Sequence, residues 1–162
     1  MAAKLHYLTV QDMLSINLQV TKKVNSYQYA TLEEATYYQY AYGDSDELLD
    51  QAARFLTGFM KKSPMSAGNE ATAFVGCIAF LMLNGTSLAV DDAGALQMFR
   101  RAQSGSAKEA LASAAHTDEH HHEGDSHTRM RSLMIEITRA FPNTIAELAG
   151  QKIAIAADAA IH

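Results

Sequence analysis

Two stretches of this chain carry residues whose types and spacing bear on chemistry. The first is Lys61-Lys62-Ser63-Pro64-Met65-Ser66-Ala67-Gly68-Asn69-Glu70-Ala71-Thr72. Ser63-Pro64 sets an extended turn, Gly68 permits a tight backbone fold, and the residues from Ala71 to Leu83 are almost all apolar. A glycine-containing loop entering a helix presents free N–H groups and the positive end of the helix dipole, an arrangement that holds phosphate or sulfate. Gly68 and Asn69 are the candidate anion-binding residues. Glu70 opposes them: its carboxylate suits the first turn of a helix and repels a phosphate arriving at the same amides. The plainer alternative gives Gly68 and Asn69 no role beyond the turn.

The second stretch is His116-Thr117-Asp118-Glu119-His120-His121-His122-Glu123-Gly124-Asp125-Ser126-His127. If the helix before it continues, His116, His120, Glu123 and His127 share one helical face, and His-x-x-x-His is a spacing that chelates zinc or nickel. Neighbouring carboxylates would orient the imidazoles. Gly124 works against a continuous helix, and the competing reading is a solvated, acidic, histidine-rich loop between helices.

The elements that position these stretches read as helices throughout. Residues 71–83 form an apolar run with no polar face, which predicts a helix buried on all sides (about Asn69 to Leu83), closed by Asn84-Gly85. It is too short to cross a bilayer. Thr9 with Asp12 reads as a capping box ahead of the stripe Val10, Met13, Leu14 and Leu18, and Thr31-Leu32-Glu33-Glu34 as another. The run Tyr37-Tyr38-Gln39-Tyr40-Ala41-Tyr42-Gly43 offers an aromatic platform for a ligand or partner, or rings packed on neighbouring helices with wet hydroxyls. Ser45 is the expected cap of a helix carrying Leu49, Ala52, Ala53, Leu56, Phe59 and Met60. Asp91 or Asp92, Ser106 and Asn143 are the expected caps of later helices, and Pro142 ends a helix over residues 128–141. The connector at 86–90 has strand character. The division expected is a helical core over 1–105 and a helical extension over 106–162 packed on it, with the histidine-rich linker at 116–127, in one compact unit.

Composition narrows the functional classes. The chain has 162 residues, 48% hydrophobic and 19% charged, with a formal charge of −5. That describes an ordinary folded domain. The acidic balance, with no lysine/arginine stripe, excludes a nucleic-acid surface. The one cysteine, Cys77, falls inside the apolar run and reads as a small buried hydrophobe. No disulfide framework and no apolar leader after Met1-Ala2-Ala3-Lys4 set the expectation of a cytoplasmic protein without a membrane association.

The first stretch also carries a resemblance. Ser63-Pro64-Met65-Ser66-Ala67-Gly68-Asn69-Glu70-Ala71-Thr72-Ala73 resembles the signature of the Fic/Doc (death-on-curing) family, His-Pro-Phe-x-Asp/Glu-Gly-Asn-Gly/Lys-Arg followed by Thr-Ala. Tyr7-Leu8-Thr9 before an amphipathic helix is similar to the opening of Doc-type proteins, and Phe80-Leu81-Met82-Leu83-Asn84-Gly85 to the end of the family's central helix. The likeness spans about Lys4 to Ala102. It implies an all-α, Fic/Doc-like helical bundle around the buried helix, with extra C-terminal helices.

The departures bear on function. The family's histidine is the general base; Ser63 stands there, and a serine hydroxyl is no base near neutral pH. The family's acidic residue holds the magnesium of the nucleotide; Ala67 stands there, with no ligand atom. The phosphate-gripping arginine is Ala71, and the residue before it is Glu70. Ser63, Ala67, Glu70 and Ala71 therefore lack the family's chemistry, and no catalytic residue is assigned. The leading expectation is a non-catalytic binding or regulatory module, an inactive relative of a toxin. The resemblance implies a small antitoxin-like partner whose tail folds as a helix into a groove near the tyrosines and first helix. The alternative is a nucleotide-dependent AMP- or phosphotransferase acting on a protein hydroxyl with ATP and Mg, using other residues.

Overall fold

The computed structural model describes residues 5–40, 47–117 and 126–150. The chain runs through α1 (Val10–Thr21), α2 (Tyr29–Tyr37), α3 (Leu48–Lys62), α4 (Asn69–Leu83), β1 (Thr86–Leu88), α5 (Asp92–Arg101), α6 (Ala107–Ala114), β2 (Ala115–Thr117), α7 (Ser126–Ala140) and α8 (Pro142–Leu148). The class is all-α. Among the described residues no helix is long and apolar enough to cross a membrane.

Helix α4 is the axis of the molecule, over the span expected from its apolar run. Every residue from Ala71 to Leu81 is buried, because α1, α3, α7, α8 and β1 pack around it. Helices on both sides of residue 105 share this core: α6 lies on α3, and α7 and α8 on α4. The Phe74 ring stands edge-on to Phe99 at 5.9 Å and to Phe141 at 5.7 Å. It thereby locks α4 to α5 and to the α7–α8 junction. Burying each such ring contributes about 1.5–3 kcal/mol.

The segment ahead of α1 has no sheet to join, and side-chain amides replace one. Gln39 accepts from the Leu8 N–H and donates to the Leu8 carbonyl, both at 2.7 Å. Asn84 does the same for His6, accepting at 2.7 Å and donating at 2.9 Å. Leu8 is buried, so its backbone groups must find partners and Gln39 supplies them, while Asn84 ties down the exposed His6.

Several boundaries follow local signals. Thr9 and Asp12 close the expected capping box on α1, Asp91 caps α5 by accepting from the Gly94 N–H at 2.7 Å, and residues 86–88 form a strand. Others are corrected by tertiary contacts. Helix α2 begins at Tyr29 with Gln28 as its cap, two residues before Thr31, and Thr31 lies within its first turn. The chain at 26–28 is held extended against 64–66, so the helix starts where that pairing stops. Ser106 precedes α6 without a side-chain cap bond. Asn143 does not cap α8: Pro142 is its first residue, and the carboxylate of Asp92 takes the Asn143 and Thr144 N–H groups, each at 2.9 Å. Ser45, Tyr42 and Gly43 lie outside the described residues.

Candidate functional site

The turn into α4 is built from the end of α3. Ser63 ends that helix in the left-handed conformation, φ 44° and ψ 60°. Its N–H donates to the Phe59 carbonyl at 3.0 Å and its hydroxyl to the Met60 carbonyl at 2.7 Å. The chain then runs extended beside residues 26–28. Gln28 N–H donates to Pro64 O at 3.2 Å, Ser66 N–H donates to Ser26 O at 2.9 Å, and Tyr27 faces Met65. The other edge of Met65 is covered by Asn69, whose side chain accepts from the Met65 N–H at 3.0 Å and donates to the Met65 carbonyl at 2.8 Å. Asn69 thus spends its amide closing its own loop.

Gly68 sits at the head of α4 with φ 76°. A Cβ there would stand 2.3 Å from Thr21 Cγ2 and 3.2 Å from Asn17 Nδ2. Both the backbone angle and the close approach of α1 demand glycine. Behind it lies a polar network in otherwise apolar packing. Asn17 donates to the Ala67 carbonyl at 2.9 Å and to Thr72 Oγ1 at 3.0 Å, while accepting from Asn25 at 2.9 Å. Asn25 also donates to Thr21 Oγ1 at 2.9 Å, and Thr21 donates to the Asn17 carbonyl at 2.8 Å. Asn17, Asn25 and Thr72 are buried. Sequence reasoning missed this network. Its signal was an asparagine on the stripe Met13, Ile16, Asn17 and Val20 that α1 buries.

The electrostatics of the turn are settled inside the chain. Glu70 Oε2 lies 3.4 Å from Arg100 Nη1 of α5, with both side chains nearly half exposed. A pair so exposed adds little stability, yet it fixes a carboxylate at the helix start. The first helical bond is from Thr72 N–H to Gly68 O, at 2.9 Å. The amides of residues 69–71 therefore have no partner within the helix, and that of Ala71 is buried. Ala67 offers a methyl group, its carbonyl already taken by Asn17. Ala71 has no exposed surface, so its side chain points into the core rather than toward a bound phosphate. Cys77 is fully buried, and burial pushes its thiol up to about 12, so no thiolate nucleophile is at hand.

The histidine-rich stretch is not one helix. Helix α6 stops at Ala114, and His116 lies exposed on β2, opposite Ser87 of β1. The antiparallel pairing with β1, extended by the Ala89 N–H on the Ala114 carbonyl at 2.7 Å, draws the chain out of helical form. His127 falls in the next helix, α7, and His120 and Glu123 lie outside the described residues. The shared helical face expected of these four is thus replaced by a strand and a separate helix. Among the described residues no group of three or more His, Cys, Asp or Glu is placed to hold a metal.

The tyrosines divide into two sets. Tyr40 packs on Tyr7 at 4.4 Å and on Tyr37 at 5.5 Å. Tyr38 packs against Gly58, where a Cβ would stand 2.5 Å from its ring. Tyr27, Tyr29 and Tyr37 remain on the surface. Beside Tyr27, α1 and the loop after it form an open groove of about 200 Å³, with Leu14, Leu18 and Val24 on its walls and Gln11 and Lys23 at its rim. Leu18, Val24 and Tyr27 are 49%, 87% and 45% exposed. No protein-family model, curated protein or solved structure matches the chain.

Proposed function

We propose that this chain is a non-catalytic, Fic/Doc-like binding module of the cytoplasm, a degenerate relative of a toxin whose motif loop has become a structural turn. The observation that carries this reading is where the loop's polar groups go. Ser63 bonds Met60, Asn69 bonds Met65, the Ala67 carbonyl is held by Asn17, and Glu70 pairs with Arg100. A general base must reach the proton it abstracts, and a nucleotide site needs a ligand for magnesium; the turn supplies neither. The weak anion site at Gly68 and Asn69 has the unpaired amides of the helix start in its favour and Glu70 against it. Glu70 and Arg100 offset each other at the helix start, so no net positive charge there draws a phosphate in.

A binding role is supported by the groove beside α1. A partner of the antitoxin kind would lay the apolar face of a helix across Leu14, Leu18, Val24 and Tyr27. Exposed apolar side chains gathered at one place mark interaction surfaces on soluble proteins. The test is incubation of the purified protein with labelled ATP, magnesium or manganese and a host lysate. No label should pass to protein. Transfer that disappears on Ser63→Ala would overturn the reading in favour of the nucleotide-dependent transferase.

A further inference from the structure

Helix α2 turns Leu32, Ala35 and Thr36 inward and a different set outward. Tyr29, Glu33 and Tyr37 follow at i, i+4 and i+8, which places them on one face. Tyr29 and Tyr37 are 59% and 37% exposed. Ala30, Glu33, Glu34, Tyr37 and Tyr38 line a cleft of about 380 Å³ along this face. Its rings are fixed from behind, Tyr38 by Gly58 and Tyr37 by its edge contact with Tyr40. The charge of Glu33, with a hydrogen bond to it, raises the Tyr29 phenol above its ordinary range, and Tyr37 and Tyr27 add to the effect. Tyr27, two residues before Tyr29 in the chain, lines the α1 groove.

The two carboxylates differ. Glu34 is paired with Lys62 at 3.0 Å. Glu33 differs: no lysine or arginine among the described residues pairs with it. A carboxylate flanked by exposed rings, one of them held by Tyr40, attracts a cation by charge and by the ring faces. A guanidinium fits best, because it is planar, stacks on rings and bonds a carboxylate in bidentate fashion.

We propose that the outer face of α2 receives an arginine on a basic segment of a partner protein, the guanidinium on Glu33 and against the rings of Tyr29 and Tyr37. The inference rests on the partner-binding reading and specifies the partner: a segment with arginine beside apolar residues that enter the α1 groove. The occupant is a protein segment, chosen over a second copy because the chain is acidic, with a net charge of −5.

The test begins with random dodecapeptides displayed on phage and panned on the full chain, followed by synthesis of the selected peptides. Affinities are read by fluorescence anisotropy on the native protein and on Glu33→Gln, Tyr37→Ala and Leu18→Ser variants, with circular dichroism checking each fold. The selected peptides should be enriched in arginine. Replacing that arginine by citrulline, which leaves the protein untouched, should weaken binding about tenfold, as should Glu33→Gln. Peptides sensitive to Leu18→Ser but indifferent to citrulline and Glu33→Gln would overturn the arginine site and leave the binding module standing. An unenriched library would overturn both. A dimer in sedimentation that Tyr37→Ala dissociates would overturn the arginine site in favour of a second copy.

Discussion

Replacing Gly68 by alanine tests whether the turn into α4 is held by α1. At φ 76° an alanine occupies the left-handed region, at a cost of about 1–2 kcal/mol. Its Cβ would lie 2.3 Å from Thr21 Cγ2, so Thr21 must rotate or retreat. Thr21 is bound through its hydroxyl to the Asn17 carbonyl and to Asn25. Losing one of those bonds costs a further 0.5–1.5 kcal/mol or so. The smaller entropy of the unfolded alanine chain offsets about 0.4–1 kcal/mol. The net expectation is a loss of about 1–3 kcal/mol in urea unfolding followed by circular dichroism. Thr21→Ser removes the clashing methyl and keeps the hydroxyl. In that background Gly68→Ala should cost about 1 kcal/mol less, a coupling that a double-mutant cycle reads directly. An unchanged stability for Gly68→Ala, or an equal cost in both backgrounds, would refute the reasoning.

Three further outcomes follow from the same structure. Burial pushes the Asp92 carboxyl up, but the hydrogen bonds from Thr144 and Asn143 outweigh it and hold the group below its ordinary range. A carboxyl depressed in the folded state contributes stability that is present above its unfolded pKa and is lost as pH falls through the folded one. Asp92→Ala should therefore cost about 1 kcal/mol near neutral pH, with the difference from native vanishing in acid unfolding curves. Cys77 should resist thiol reagents in the native protein and react once urea exposes it, at a rate that tracks unfolding. Ala71→Arg, the change that would restore the phosphate-gripping residue of the resembled family, starts from a position with no exposed surface. An uncompensated buried charge there should cost about 3–5 kcal/mol by urea unfolding.

The fold was legible where the sequence determines structure locally. The apolar run of α4 has no face to leave in water, so its burial and its limits follow from the residues themselves. Thr9 with Asp12, and Asp91, act on backbone groups within one turn. What escaped reading was set by distant parts of the chain. The start of α2 depends on Pro64 and Ser66 holding residues 26–28. The cap of α8 comes from Asp92, some fifty residues earlier. At the site, Gly68 could be read as a turn, but the demand for glycine imposed by Thr21 belongs to packing between helices. His116 looked helical by spacing and became a strand because β1 was there to pair with it.

We propose that the loop from Ser63 to Ala71 serves as structure and holds no nucleotide. Calorimetric titration of the native protein with ATP and magnesium tests it most directly. A loop whose Asn69 amide serves Met65, whose Ala67 offers no ligand atom and whose Glu70 guards the amides of α4 should give no saturable heat up to millimolar nucleotide. Saturable one-to-one binding at micromolar ATP, lost when magnesium is chelated, would contradict it.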